Sequence, residues 1–305
     1  TRELAGQIND SIRAYGRHMH LRSTVVYGGA SIRPQIKTLA QGVHILVATP
    51  GRLLDLMNQR HLYLDEVEVF ILDEADRMLD MGFIPDVKKV AAALPNKRQT
   101  VMFSATMPTS IRRLIWQFMD DPVTITVDSE LSTVDSIEQI YFEVAQRDKT
   151  AGLRELIDRE LKGRTLVFCN MRRGVDRLAQ DLEGRGVRVG ALHGDMDQRR
   201  RDKVVESFRE GALDILIATN VAARGLDIPQ ITHVVNFDLP NDPESYVHRI
   251  GRTARAGATG VAIAFCDLDE KSLLKDIEKT IRQSVPVFED HPYHSVEIAN
   301  DPGTT

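Results

Sequence analysis

The sequence predicts an α/β protein built from two parallel-sheet domains in tandem. Three observations predict it. Short apolar, β-branched runs alternate with amphipathic stretches along most of the 305 residues, and strands that read as continuous apolar runs belong to parallel sheets covered on both faces. The alternation comes in two series, separated by the polar, aperiodic stretch Asp128-Ser129-Glu130-Leu131-Ser132-Thr133-Val134-Asp135. The length also suits two cores, since a domain takes roughly 100–200 residues.

In chain order, the first series places strands at 23–27, 44–48, 69–72, 100–103 and 123–127, each an apolar or β-branched run. Helical patterns over 34–39, 52–57, 85–93 and 110–119 lie between them. The second series places strands at 137–144, 165–168, 188–192, 215–218, 233–237 and 261–265, with helices over 149–161, 173–185, 198–210 and 270–281. The resulting division is a first domain over 1–128, a linker over 129–136 and a second domain over 137–285. Beyond Val287 the chain mixes Pro, His and acidic residues without a period, so 286–305 reads as a loose tail.

Composition narrows the function classes. Hydrophobic residues at 42% and charged residues at 27% are ordinary for a soluble globular protein. No apolar run approaches the roughly 18 residues that span a bilayer, and no charged-then-apolar leader opens the chain. The net charge of -5 means that nucleic-acid binding has to use local basic patches. The two cysteines, Cys169 and Cys266, each end an apolar run. They read as buried, reduced core thiols in a reducing compartment. Neither has a Cys or His at ligand spacing, which argues against a metal site there.

Two blocks carry the chemistry. Val69-Phe70-Ile71-Leu72 ends in Asp73-Glu74-Ala75-Asp76. Ligands bind beyond the carboxyl ends of parallel strands, and a hard carboxylate there suits Mg²⁺, with Glu74 directed at the water that attacks a phosphate. The plain alternative is a solvated acidic turn, and one short motif does not decide between them. The second block is His248-Arg249-Ile250-Gly251-Arg252-Thr253-Ala254-Arg255. Residues three apart share a helix face, so Arg249, Arg252 and Arg255 form a basic face that repels itself unless an anion lies over it. Arginines of this kind neutralise a phosphoryl group in flight. With both halves on one chain, the active site is expected in a cleft between the two domains.

Weaker signals accompany them. Ser104-Ala105-Thr106 ends a strand with hydroxyls that can cap a helix or bond a neighbouring carboxylate. Thr49-Pro50-Gly51-Arg52 opens a helix whose free N–H groups can hold a phosphate. Gly28-Gly29 lets a backbone approach a ligand closely. The run 218–227 offers the Thr219 hydroxyl, the Asn220 amide, the Arg224 guanidinium and the Asp227 carboxylate, the last able to accept from a ribose hydroxyl.

These blocks, in this order, resemble the DEAD-box RNA helicases of helicase superfamily two. Thr1-Arg2-Glu3-Leu4-Ala5, Gly28-Gly29, Thr49–Arg52, the tetrad Asp73–Asp76, Ser104–Thr106, Val167-Phe168-Cys169-Asn170, Gln198 with Arg201, Thr219–Asp227 and His248–Arg255 match the family's motifs in sequence order. The match runs from residue 1 to about 285, and ordered motifs are far more specific than any one of them. The stretch 76–83 is similar to the bacterial RhlE-like subgroup.

The resemblance implies two RecA-like domains, the first incomplete at its N-terminus, and ATP and Mg²⁺ as cofactors. It implies that Asp73 holds Mg²⁺ through water and that Glu74 activates the hydrolytic water. Arg252 and Arg255 then meet the γ-phosphate, with His248 reaching toward the first domain, while Gly225 and Asp227 serve the nucleotide. Asp76, Ser104 and Thr106 couple hydrolysis to unwinding. Arg2, Gly29, Thr49, Arg52, Gln198, Arg201 and Thr219 line an RNA backbone path. The implied partner is RNA, in ribosomal or RNA-decay assemblies, bound by a cytoplasmic monomer without membrane contact.

Two departures are small: Asn220 stands where Asp is frequent, losing any ion pair there, and Ala254 where Gly is common. The large one is that no Gly-x-x-x-x-Gly-Lys-[Ser/Thr] phosphate loop occurs. With Thr1 in place of Met, this reads as an N-terminally truncated helicase that is inactive alone. The alternatives are a non-catalytic RNA-binding remnant and a DNA-directed superfamily-two helicase; the 73–76 tetrad and the 248–255 sequence weigh against the latter.

Overall fold

The computed structural model describes residues 1–126, 136–223, 228, 230–254 and 258–300. The chain divides into two compact units, Thr1–Thr126 and Val127–Thr305.

The first unit opens on a helix, Arg2–Tyr15, where the sequence suggested only a motif. Its start is well specified: the Thr1 side chain accepts from Leu4 N, Glu3 lies in the first turn and Arg13 in the last. Strands β1 (Ser23–Val26) and β2 (Ile45–Ala48) pair in parallel. So do β3 (Val69–Leu72) and β4 (Gln99–Met102). Helices Ile32–Leu39, Pro50–Asn58, Ala75–Asp80, Ile84–Ala92 and Thr109–Phe118 complete the unit.

Among the described residues these are two separate strand pairs, not one continuous sheet. The fifth strand expected at 123–127 is not formed over 123–126, where Val123 and Ile125 are 87% and 83% exposed. Alternating β-branched residues supply propensity, but strand stability comes from neighbours to pair and pack with. Residue 127 lies outside the described residues.

The second unit holds a six-stranded, all-parallel sheet in the order β5-β10-β9-β6-β8-β7. The strands are β5 (Ile137–Glu143), β6 (Arg164–Cys169), β7 (Val189–Leu192), β8 (Ile215–Thr219), β9 (Ile231–Asn236) and β10 (Gly260–Cys266). Period-two alternation splits each central strand between two covered faces. Val167 and Cys169 of β6 pack with Leu153, Leu156, Val175 and Leu178 from helices Lys149–Arg159 and Arg172–Glu183. Leu166 and Phe168 pack the other way, with Val205 and Phe208 from helix Gln198–Arg209. Helices Pro243–Ile250 and Lys271–Ile281 cover β10 through Tyr246, Ile250, Leu274 and Ile277. Both cysteines lie in this core; burial pushes the Cys266 thiol up to about 12 and Cys169 higher still.

From β6 the chain first builds β7 and β8 on one side, then β9 and β10 on the other. The switch point therefore lies at the carboxyl ends of β6, β8 and β9, where open α/β sheets bind ligands.

The tail is not loose over 286–300. Tyr141 N donates to Pro286 O, Phe288 N to Tyr141 O and Ser295 N to Glu143 O. The segment thus satisfies the outer edge of β5, which among the described residues has only β10 as a strand neighbour. Phe288 and His291 pack on Phe142, and the short helix Val296–Asn300 buries Ile298. Aperiodic sequence hid the docking because backbone hydrogen bonds and isolated ring contacts leave no side-chain period. Residues 301–305 lie outside the described residues.

Burial holds the imidazoles of His291 and His233 below the ordinary histidine range; the neighbouring His294 acts on His291 in the same direction. A lowered folded-state pKa stabilises the fold above the unfolded value of about 6.5, and that stability is lost as pH falls below it. The urea midpoint should therefore drop between about pH 7.5 and 5.5. His291→Phe should flatten part of that drop; an unchanged pH dependence would remove the tail histidine from the account.

Candidate functional site

The candidate residues gather at strand ends. Asp73 directly follows β3. Its Oδ1 accepts from Glu74 N at 2.9 Å. Glu74 adopts φ 51° and ψ 50° as the residue before helix Ala75–Asp80. A non-glycine residue in this left-handed region costs on the order of 1 kcal/mol or more. Its carboxylate forms an ion pair with Arg77, Oε1 to Nη1 2.8 Å, and Arg77 itself is buried. The sequence reading missed Arg77; its i, i+3 spacing from Glu74 was the available signal.

Asp76 is buried at 6% exposure and ties helix Ala75–Asp80 to the turn after β4. Oδ1 accepts from Arg77 N at 2.9 Å. Oδ2 accepts from the N and Oγ1 of Thr106 at 3.0 and 3.1 Å, and Ser104 Oγ donates to Thr106 O at 2.8 Å. The three residues expected to act together thus form one hydrogen-bonded cluster across the ends of β3 and β4. Among the described residues no group of three or more His, Cys, Asp and Glu side chains forms a metal cage. The donor set at Asp73 and Glu74 is one or two hard carboxylates, which fits Mg²⁺, an ion that keeps several of its waters.

Arg2, Gly29, Thr49 and Arg52 meet beyond β1 and β2. Gly29 has φ +81°, a conformation that favours glycine, and a Cβ there would also push aside the tip of the Arg2 side chain, 2.4 Å away at Nη1. Thr49 precedes helix Pro50–Asn58, with its N donating to Val26 O at 3.0 Å. Arg52 Nη2 donates to Ala30 O at 3.1 Å. Arg2 and Arg52 therefore flank the Gly28–Ala30 turn.

In the second unit, Gln198 opens helix Gln198–Arg209 and donates to Asp202 at 2.7 Å. Arg201, expected to line an RNA path, is only 8% exposed. Its guanidinium donates to the carbonyls of His193 and Ala222, at 3.2 and 3.3 Å. It braces the turn after β7 and the short helix Asn220–Ala223 from within the fold, because its own helix turns that position inward. Thr219 ends β8 and is 7% exposed. Asn220 does not leave its position empty: Nδ2 donates to Ser245 Oγ at 3.0 Å, which a carboxylate could not do.

The expected basic face of three arginines is not what forms. Helix Pro243–Ile250 is closed by Gly251, so the three-residue spacing does not continue on one helix. Arg249 points inward at 2% exposure, and burial lowers its guanidinium to about 10, which leaves it charged at neutral pH. His248 and Arg252 are half-buried. Arg252 Nε donates to His248 O at 3.2 Å, a cation against the last carbonyls of a helix. Ala254 has φ +53°, which accounts for glycine being common there. Gly225, Asp227 and Arg255 lie outside the described residues.

Asp76→Ala strands the N–H and hydroxyl of Thr106 and the N–H of Arg77, and should destabilise the first unit by about 1–3 kcal/mol. Asp76→Asn keeps one acceptor oxygen and should cost less. Urea denaturation checks both; equal midpoints for Asp76→Ala and parent would show that the cluster contributes nothing to stability.

Residues 1–114 match the DEAD/DEAH box helicase family, and residues 148–257 match the helicase conserved C-terminal domain. An ATP-dependent RNA helicase CshA from Limosilactobacillus reuteri is 46% identical over 282 residues, covering 92% of this chain and 57% of that one. The DEAD-box ATP-dependent RNA helicase CshA of Bacillus subtilis (strain 168) is 45% identical over 285 residues, covering 93% and 58%. The chain spans just over half the length of these curated relatives. Among solved structures, S. cerevisiae Dbp5 bound to RNA and ADP BeF3 superposes with a TM-score of 0.84 at 33% identity, covering 94% of this chain and 75% of that one. A DEAD box protein from Methanococcus jannaschii gives a TM-score of 0.52 at 41% identity, covering 94% and 78%. The α/β fold is thus that of tandem RecA-like helicase domains. A tetrad on a strand end, its partner hydroxyls bonded to it, and both domain families matched in order give one conclusion: the chain belongs to the DEAD-box family of ATP-dependent RNA helicases.

Proposed function

We propose that these two units work as an ATP-dependent RNA helicase that parts short duplexes locally as ATP is hydrolysed. The observation that carries the reading is Glu74, a carboxylate in left-handed backbone beside Asp73, paired with buried Arg77. In this reading Glu74 takes the proton of the water that attacks the γ-phosphorus. Asp73 holds Mg²⁺ through its water shell, and the ion supplies charge neutralisation at the β- and γ-phosphates when bound. Arg252, with Arg255, neutralises charge on the transferred group, and His248 supports that turn. Gly225 and Asp227 serve the ribose side of the nucleotide. The hydrogen bonds among Asp76, Ser104 and Thr106 give a route by which a change at Glu74 moves the turn after β4.

RNA is held through its backbone by Arg2, Gly29, Thr49, Arg52, Gln198 and Thr219, so binding tolerates sequence. Arg201 acts from behind, as a brace. The stretch 76–83 supports a place near the RhlE-like bacterial proteins. No helix is long and apolar enough to cross a membrane among the described residues. A cytoplasmic monomer acting on ribosomal or RNA-decay substrates is proposed on family resemblance alone.

The sequence contains no Gly-x-x-x-x-Gly-Lys-[Ser/Thr]. Hydrolysis is therefore proposed for a polypeptide that joins these units to such a loop, and this absence favours a second reading of the chain alone as a non-catalytic RNA binder. Phosphate release with RNA and Mg-ATP separates the two. The chain alone should show none above background; turnover equal to a loop-containing protein would overturn the dependence on the loop.

In the loop-containing protein, Glu74→Gln should keep nucleotide affinity and lose about 10²-fold or more in turnover, because an amide cannot accept the proton. Parent-like turnover removes Glu74 from that role. RNA affinity should fall with salt, by a log–log slope of roughly 0.7 per neutralised phosphate on single strands. A flat salt response would contradict a phosphate-led interface.

A further inference from the structure

Arg249 is among the largest fully buried side chains of the protein. Its Nη1 donates to Asn236 Oδ1 at 3.1 Å and to Asp238 O at 2.7 Å, and its Nη2 donates to Asn170 Oδ1 at 2.8 Å. The guanidinium also lies 5.0 Å from the ring centroid of Phe168. These acceptors are two amides and a carbonyl; none is a carboxylate. Burying a cation on neutral acceptors is a poor way to gain stability, since an apolar side chain of similar volume commonly does as well or better. What the arrangement does provide is geometry. Asn170 follows β6, Asn236 ends β9 and Asp238 follows it, so one planar fork joins the last turn of helix Pro243–Ile250 to both sides of the sheet's switch point.

The surroundings strengthen the clamp. Asn170 N donates to Asp238 Oδ2 at 2.9 Å and its Nδ2 to Leu239 O at 2.7 Å. Leu239 N donates to Glu270 Oε1 at 2.9 Å, and Glu270 pairs with fully buried Lys149 at 2.5 Å. On the far side of Arg252, Thr253 is 1% exposed and its hydroxyl donates to Ile231 O at 2.6 Å. Arg252 is thus carried on a short turn between two buried anchors, Arg249 and Thr253.

We propose that Arg249 is a positioning residue for the hydrolytic step, which fixes the turn carrying Arg252 to the ends of β6 and β9 without touching the nucleotide. This rests on the reading of Arg252 as the group that meets the γ-phosphate. Small misplacements of a catalytic group are costly in rate, reaching about 10²-fold for roughly 1 Å.

The test uses the loop-containing protein with saturating RNA. Arg249→Met and Arg249→Lys, the second keeping charge but losing the fork, should each lower kcat by roughly tenfold or more. KM for ATP and RNA affinity without nucleotide should change by less than about twofold. The discriminating measurement is a double-mutant cycle with Arg252→Ala. Once Arg252 is gone, Arg249→Met should lower kcat no further, whereas a residue that merely holds the fold gives falls that multiply. Asn170→Ala, at an exposed position with its own share of the fork, should show a smaller fall with the same non-additivity, and serves if the Arg249 variants do not fold. Multiplying falls, or a kcat within about twofold of parent for Arg249→Met, overturn the positioning role. Parent-like turnover of Arg252→Ala alone would instead overturn the reading of Arg252, so the two failures are separable.

Discussion

Every described strand pairing in both units is parallel, and a parallel sheet delivers all of its carboxyl ends to one edge. That constraint explains why residues far apart in sequence become neighbours. Asp76 meets Thr106 because β3 and β4 end side by side. Asn170 meets Asp238 because β6 and β9 do. In the second unit the crossover helices bury both faces of the central strands, which leaves the turns that follow the strands for polar function.

Those turns need polar groups in half-buried ground, and the protein meets the requirement by satisfying them locally. Asp76 is spent on backbone N–H groups and a hydroxyl, Lys149 on Glu270, and Arg249 on amides and a carbonyl. Each holds a turn in one arrangement. Strain is confined to a few points, Glu74 and Ala254 among them, both beside residues assigned to phosphate chemistry. A residue held off its preferred backbone by well-bonded neighbours is one whose side chain has a set direction.

Local chemistry made much of this legible. The strand at 69–72, the hydroxyls at 104 and 106 and the buried cysteines all follow from short patterns that act over a few residues. Expectations that depend on pairing failed. The strand at 123–127 had propensity but no partner over its described residues, and the loose tail had no period yet docked through single contacts at an open sheet edge. Pairing is a property of two segments, and one segment's composition does not report it.

By itself the sequence determined the α/β class, the alternation of elements, the ordered motifs and the placement of Asp73 and Glu74 at a strand end. Tertiary structure alone decided which of the arginines and amides turn toward the core. The spacing of Arg249, Arg252 and Arg255 suggested one basic face, but Gly251 closes the helix and the sheet's switch point draws Arg249 inward. Arg201 turns inward in the same way, onto two carbonyls. Charge and spacing are written in the chain, but the direction of a long side chain is set by the acceptors that other strands bring within its reach.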